Sequence, residues 1–264
     1  MKILGCISIM VVLLSLLGCG TTGGGDLDND KPQIIKETLL FPDKTVEEYT
    51  FYTYNKAHNT LLGKERFDAD NKLIESTTYK YSGIKLTKKT SYDSEKNVAG
   101  YHVYTCSPAG LILTDITYNY KNEIQSRSIY QYNSKGSKIK WEVFNGAEGF
   151  LGYTDYIYDR KGNNIKIENY NLRKILAEYF TMEYNEKNLL IKTSSYANNK
   201  LYESIAYSYD AGGKLKDEVF LNAANMIVRK DSYSYSGNKM TITHYDSRGT
   251  RVTGITIREY NKKL

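Results

Sequence analysis

The feature of this sequence that most restricts its fold is a tandem repeat of about 26 residues. Most units contain a Tyr-x-Tyr pair followed by a turn, and the second position of the pair recurs in steps of 25 to 27 residues. That position holds Tyr54, Tyr81, Cys106, Tyr132, Tyr158, Tyr184, Tyr209, Tyr235 and Tyr260. A second aromatic series interleaves with the first at Phe67, Tyr92, Tyr118, Phe144, Tyr170, Tyr196, Phe220 and Tyr245. A period held over eight units indicates one array, which we place at residues 46–264.

The residues within each unit predict two strands and two tight turns. Tyr156 and Tyr158 lie on one face of a strand because side chains alternate along it. Asp159 suits the first position of a type I turn, and Gly162 suits the left-handed position that follows, which gives a bulged hairpin. Two turns per unit leave strands of roughly eight residues and about seventeen strands in all.

This pattern predicts an all-β fold, an antiparallel meander of tandem double-strand repeats. Open sheets seldom exceed about 10 strands without curling, so we expect a twisted, curled or spiralling sheet. A membrane barrel is the alternative, but its lipid-facing rows would be apolar. Residues 192–196 and 214–219 carry charges or hydroxyls on both faces, which argues against it. Lys262 and Lys263 would then discourage pairing at the open edge of the last strand.

The N-terminus predicts a secretory signal. Lys2 precedes an apolar run of fifteen residues, Ile3 to Leu17. This run is shorter than the roughly 20 residues that span a bilayer, and it fits the apolar core of a signal peptide.

The segment Leu-Leu-Gly-Cys at residues 16–19 resembles the lipobox of bacterial lipoproteins. The resemblance implies that residues 1–18 are a signal peptide and that Cys19 carries the lipid. It implies a lipid-anchored protein at the bacterial outer membrane or cell surface. The stretch that follows is rich in Gly and Asp, so we expect residues 19–45 to hold the lipidated cysteine and a flexible tether.

The repeat itself resembles a known family. The pattern Tyr-x-Tyr-Asp-x-x-Gly, at residues 156–162 and 207–213, resembles the YD repeat of the RHS family. That resemblance implies β-sheets that spiral, sometimes into shells around toxins, and related surface proteins that bind carbohydrate. The delivery role of the large members is not carried over, because we expect neither a long shell nor a C-terminal toxin here.

The cysteines and charges narrow the function further. Cys106 is the only cysteine of the body, so no disulfide forms within the processed chain, and we interpret it as a small buried side chain in a tyrosine slot. The formal net charge is +6, with both signs interspersed, which does not predict a nucleic-acid surface.

Motifs for catalysis or metal binding are absent from the sequence. The three histidines lie far apart and have no metal-ligand spacing. Adjacent acidic pairs, such as Asp217 with Glu218, point to opposite faces of a strand and cannot flank one bond. We therefore predict no catalytic residue, no metal, no cofactor and no enzyme. The histidines are His58, His102 and His244.

Twenty-six tyrosines remain as the feature that could carry function. Cross-strand aromatic pairs hold a sheet together, and exposed rings can also form a binding platform. The leading hypothesis is a non-enzymatic envelope lipoprotein that presents the tyrosine rows to a glycan or a protein, as a binding or adhesion module. The alternative is a structural or assembly component of the outer membrane with a stable protein partner.

Overall fold

The computed structural model describes residues 31–264, and every regular element within that range is a β-strand. The strands are β1 (Ile34–Leu40), β2 (Val46–Asn55), β3 (Thr60–Asp68), β4 (Leu73–Ser82), β5 (Lys85–Tyr92), β6 (Val98–Cys106), β7 (Ile112–Asn119), β8 (Ile124–Tyr132), β9 (Lys138–Asn145), β10 (Phe150–Tyr158), β11 (Asn164–Asn171), β12 (Leu176–Tyr184), β13 (Leu190–Ala197), β14 (Lys200–Tyr209), β15 (Leu215–Asn222), β16 (Ile227–Ser236), β17 (Lys239–Tyr245) and β18 (Val252–Tyr260).

The strands form one closed antiparallel barrel. Each strand from β2 to β17 is hydrogen-bonded to the strands before and after it in the chain. β1 pairs with β2 on one side and with β18 on the other, so that Thr38 faces both Tyr49 and Ile257. The chain therefore returns to its first strand after eighteen strands, and neither edge of the sheet remains open.

The prediction of an all-β antiparallel meander is confirmed, but the expected twisted, curled or spiralling sheet is corrected to a closed barrel. Successive strands twist by roughly 20–25° relative to one another, which curls a wide meander until its edges can meet. Closure pairs the backbone N–H and C=O groups that β18 would otherwise expose. Lys262 and Lys263 lie beyond the end of β18, and there is no open sheet edge at which they could discourage pairing.

The barrel begins earlier than the repeat. Residues 34–40, which the sequence assigned to the tether of residues 19–45, form β1 and close the barrel. The first barrel residue is thus Ile34 rather than Val46, and β1 accounts for the eighteenth strand. The predicted signal peptide at residues 1–18 and the lipid site at Cys19 lie outside the described residues.

The hairpin turns have the predicted chemistry. The backbone N–H of Asn163 donates to the Asp159 carboxylate at 2.9 Å, and the N–H of Gly162 donates to the Asp159 carbonyl at 3.1 Å. Gly162 has a φ of 91°, a left-handed conformation that glycine adopts without strain. Asn188 takes the equivalent position in another unit, with a φ of 65°.

The two ends of the barrel are distinct. Turns that follow even-numbered strands lie at one end, together with the start of β1 and the end of β18; we call this end the tyrosine rim. Turns that follow odd-numbered strands lie at the other end, which we call the opposite rim. Both chain ends of the described region therefore meet at the tyrosine rim, where the N–H of Asn261 donates to the carbonyl of Gln33 at 2.9 Å.

The Tyr-x-Tyr pairs lie on the face of the sheet that lines the lumen. Side chains alternate along each strand, so cross-strand partners share a face. The buried apolar side chains lie on the same face as these tyrosines, whereas the opposite face carries ion pairs and stacked rings. The buried apolar residues are Phe180, Met182, Leu215, Met240 and Ile242.

Candidate functional site

The second residues of the Tyr-x-Tyr pairs form a ring around the lumen at the tyrosine rim, which we call the corner ring. Its members are Tyr54, Tyr81, Cys106, Tyr132, Tyr158, Tyr184, Tyr209, Tyr235 and Tyr260. In six of them the phenolic hydroxyl donates to a backbone carbonyl of the preceding strand, at 2.7–3.0 Å. Each bond joins neighbouring hairpins of the rim and fixes the orientation of the ring. These donor–acceptor pairs are Tyr81–Leu61, Tyr132–Ile112, Tyr158–Lys138, Tyr184–Asn164, Tyr209–Leu190 and Tyr235–Leu215.

Cys106 makes the same contact with a thiol. Its Sγ lies 3.2 Å from the Leu86 carbonyl, the position that a tyrosine hydroxyl reaches in other units. Burial raises the pKa of the Cys106 thiol, against a smaller opposite effect of Lys85. A half-buried, protonated thiol that bonds the backbone fits a packing role.

The first residues of the pairs form a second ring deeper in the lumen, which we call the inner ring. Its members are Tyr52, Tyr79, Tyr104, Tyr130, Tyr156, Met182, Tyr207, Tyr233 and Arg258. Burial is the main cause that raises the pKa of Tyr52, Tyr156 and Tyr207 to about 12. These phenols therefore remain neutral hydrogen-bonding groups throughout the physiological pH range.

A cavity of about 800 Å³ lies against these rings, on the side of the barrel formed by β12 to β18 with β1 and β2. Leu190, Leu215 and Met240 supply its apolar wall, and Glu218 and Arg258 supply charge. Cavities of about 300–1,000 Å³ with aromatic walls and a few polar groups are typical of small-molecule sites. Seven tyrosines line this cavity: Tyr54, Tyr184, Tyr207, Tyr209, Tyr233, Tyr235 and Tyr260.

The charged groups of the cavity are held by neighbours on adjacent strands. The Arg258 guanidinium donates to the Glu37 carboxylate across the closing seam between β18 and β1. Burial raises the pKa of the Glu218 carboxyl, although a hydrogen bond with Tyr233 opposes the shift. Arg258 can therefore donate to a ligand while its position stays fixed, and Glu218 can accept.

Two histidine–aspartate pairs also face the lumen, and sequence reasoning missed both. His244 Nδ1 lies 2.9 Å from the Asp231 carboxylate and its Nε2 lies 3.0 Å from the Thr256 hydroxyl. His102 Nδ1 lies 2.8 Å from the Asp115 carboxylate. Each pair is separated by 13 residues, one half-unit, and that common spacing is the signal that could have revealed them. His58, by contrast, lies exposed in the turn after β2.

The outer wall carries ion pairs and stacked aromatic rings. Lys140 pairs with Asp155 at 3.4 Å, and Lys166 pairs with Glu168 at 2.7 Å, both in the middle of strands. Outward tyrosines stack on each other across strands, as Tyr153 does on Tyr170 with ring centroids 4.4 Å apart. Exposed apolar side chains also lie on this wall, among them Phe51, Val103 and Ile157.

Within residues 31–264, no group of three or more His, Cys, Asp or Glu side chains is arranged to hold a metal ion. The described residues form no helix long and apolar enough to cross a membrane.

No protein-family model matches this sequence, and a search of curated proteins finds no match. Among solved structures, the chain is similar to a porin-like protein from Bacteroides uniformis, with 10% identity, a TM-score of 0.48, and coverage of 87% of this chain and 98% of that chain. A porin-like protein from Bacteroides vulgatus matches with 10% identity, a TM-score of 0.36, and coverage of 88% and 99%. The toxin structure TcdB2-TccC3 without hypervariable C-terminal region matches with 12% identity, a TM-score of 0.32, and coverage of 80% of this chain and 14% of that chain. These likenesses concern β architecture alone.

Proposed function

We propose that this protein is a non-enzymatic binding protein of the bacterial cell envelope, anchored by lipid at Cys19, and that its ligand is a carbohydrate. The observation that carries the proposal is the cavity of about 800 Å³ with seven tyrosine rings in its wall. It lies at the tyrosine rim, where a soluble ligand can enter.

The chemistry of the wall favours a carbohydrate. A sugar ring has apolar C–H faces and a border of hydroxyls, so it needs flat aromatic surfaces with polar groups at their edges. In the cavity wall the hydroxyls of Tyr184, Tyr209 and Tyr235 donate to backbone carbonyls, so these three ring faces are already oriented before a ligand arrives. Glu218 and Arg258 can then bond the hydroxyl border of the sugar.

This proposal moves the binding surface from where the sequence placed it. The tyrosine rows were expected to form an exposed platform along a repeat face. Barrel closure turns them inward, and the outward tyrosines are largely occupied with one another, as in the Tyr179–Tyr196 stack with centroids 4.5 Å apart. A concave aromatic wall contacts more of a small ligand than a flat platform does.

Binding is tested with residues 31–264 on a glycan array, followed by calorimetry on the glycans that bind. We expect Tyr207→Ala to weaken binding by about tenfold or more, since it removes one aromatic face from the cavity. Tyr207→Phe should retain most of the affinity. Tyr179→Ala removes an outward ring of the same type and should leave the affinity unchanged.

Two outcomes would count against the proposal. One is the absence of binding to any glycan by a folded protein. The other is an equal loss of affinity in Tyr207→Ala and Tyr179→Ala, which would place the site outside the lumen. Recovery of a stoichiometric protein partner by cross-linking, with no glycan affinity, would favour an assembly role instead.

The envelope location is tested separately. The wild-type chain should incorporate a lipid label in cells, and Cys19→Ala should not. Protease treatment of intact cells then distinguishes an external body from a periplasmic one. Incorporation of the lipid label by Cys19→Ala at the wild-type level would contradict lipid anchoring at this residue.

A further inference from the structure

The opposite rim carries the most exposed apolar side chains of the described part of the chain. Six of them have exposed fractions of 46% to 64%, and none belongs to the tyrosine rim. They belong to the turns that follow β1, β7, β11 and β15 or to the residues next to those turns. Large apolar side chains at such exposure usually mark an interaction surface. The six residues are Phe41, Tyr120, Leu172, Ile175, Met226 and Val228.

We propose that the opposite rim rests on a lipid bilayer and inserts these apolar tips into its interface. This inference goes beyond the proposed carbohydrate function and does not depend on the ligand. The tips project from separate hairpins of one rim, so they approach a flat surface together.

Cations lie beside the apolar tips in three of the four turns, although the turn of Phe41 also holds Asp43 and the turn of Tyr120 is followed by Glu123. Leu172 and Ile175 are separated by Arg173 and Lys174, both exposed, and this turn contains no acidic residue. The ammonium group of Lys121 lies 5.5 Å from the ring of its neighbour Tyr120. Apolar side chains beside lysine or arginine suit the interface between a bilayer and water. There the apolar groups enter the edge of the acyl region, and the cations remain among anionic headgroups.

A bilayer fits these tips better than a second copy of the chain does. The tips are separated by polar turns, such as Asn198–Asn199 between β13 and β14. Two rigid rims meeting face to face would have to provide a matching pocket for each tip. A bilayer is fluid, so its lipids can rearrange around each inserted side chain and no preformed pocket is needed.

The length of the N-terminal segment is compatible with this orientation. Ile34 begins at the tyrosine rim, about 26–33 Å from the opposite rim for strands of eight to ten residues. The fifteen residues from Cys19 to Ile34 can span up to about 50 Å. An anchor in the same bilayer can therefore reach the tyrosine rim, and the cavity then opens away from the membrane.

The experiment uses residues 31–264, which contain all eighteen strands and both sides of the closing seam. This protein lacks Cys19, so any vesicle binding comes from the barrel. Flotation is measured with vesicles of phosphatidylcholine alone and of phosphatidylcholine mixed with phosphatidylglycerol. We expect binding to the mixed vesicles and about tenfold or greater loss in the double variant Leu172→Ser/Met226→Ser.

The matched control is Ile84→Ser, which removes an exposed apolar side chain of similar type from the tyrosine rim. It should bind vesicles as the wild type does, and all variants should give the wild-type circular dichroism spectrum. Absence of vesicle binding by the wild type overturns the proposal, as does an equal loss in Ile84→Ser. A dimer in sedimentation that Leu172→Ser/Met226→Ser abolishes, without vesicle binding, also overturns it and assigns the rim to a second copy.

Discussion

Alkaline pH should unfold the barrel through the tyrosines of its lumen. Burial is the main cause that raises the pKa of five of them to about 12, from an ordinary value of 10.0. The folded state therefore holds protons that the unfolded chain releases between about pH 10 and 12. Stability is fully present below the unfolded pKa and falls as pH rises through that window. The five residues are Tyr52, Tyr132, Tyr156, Tyr207 and Tyr235.

The magnitude follows from the two pKa values. At about pH 11 such a tyrosine is roughly nine-tenths ionised in the unfolded chain and one-tenth ionised in the barrel, a difference of about 1.4 kcal/mol. Five of them sum to about 7 kcal/mol, which coupling between neighbours and partial solvation of the lumen reduce. Because domains of this kind are stable by only about 5–15 kcal/mol, we expect the barrel to lose most of its stability near this pH.

The assay is urea unfolding followed by circular dichroism, repeated from neutral pH to about pH 11.5, with tyrosinate absorbance recorded in parallel. Tyr207→Phe removes one titrating group and should reduce the alkaline loss by about 1.4 kcal/mol at about pH 11. Met182→Leu changes packing in the same inner ring without changing the number of protons, so it should show the full loss. A free energy of unfolding that stays constant up to pH 11, or equal losses in Tyr207→Phe and the wild type, would refute the reasoning.

Three further substitutions test the packing described above, each by the urea midpoint. Tyr158→Phe should cost about 1–2 kcal/mol, because it leaves the Lys138 carbonyl without its donor. Gly152→Ala should cost more than about 2 kcal/mol, since a Cβ there would lie 2.3 Å from the Tyr170 carbonyl oxygen; a neutral result would mean that β10 and β11 can separate. Asp231→Ala should cost about 1–3 kcal/mol, because this carboxylate is 3% exposed and its loss removes the partner of His244 Nδ1 and of the Arg229 guanidinium.

The repeat made much of the fold predictable. Asp159 and Gly162 specify their turn by local hydrogen bonding and backbone conformation, which the sequence displays directly. The second aromatic series shows where prediction from the repeat period fails. Phe220 belongs to the same series as the outward Tyr118 and Tyr170, but it pairs with Arg229 on the lumen face, and Leu221 holds the outward position. A shift of one residue transfers a side chain to the other face.

Closure could not be predicted, because it depends on a strand without the repeat signature. Residues 34–40 contain no Tyr-x-Tyr pair, and their pairing with β18 joins positions more than two hundred residues apart. The cavity was unpredictable for the same reason, since a tyrosine row becomes a concave wall only after the barrel closes. Ion pairs such as Arg258–Glu37 span that seam and carry no local signal.

Because β1 pairs with β18, any strand of the closed barrel could serve as its first strand. Every other neighbour in the barrel is also a neighbour in the chain, so the choice of first strand has little architectural meaning. Joining Leu264 to Pro32 with a short linker and reopening the chain at Gly162 should yield a circular permutant with the same barrel. Duplication or deletion of whole hairpins would likewise change the number of strands. The number of repeat units therefore sets the diameter of the lumen.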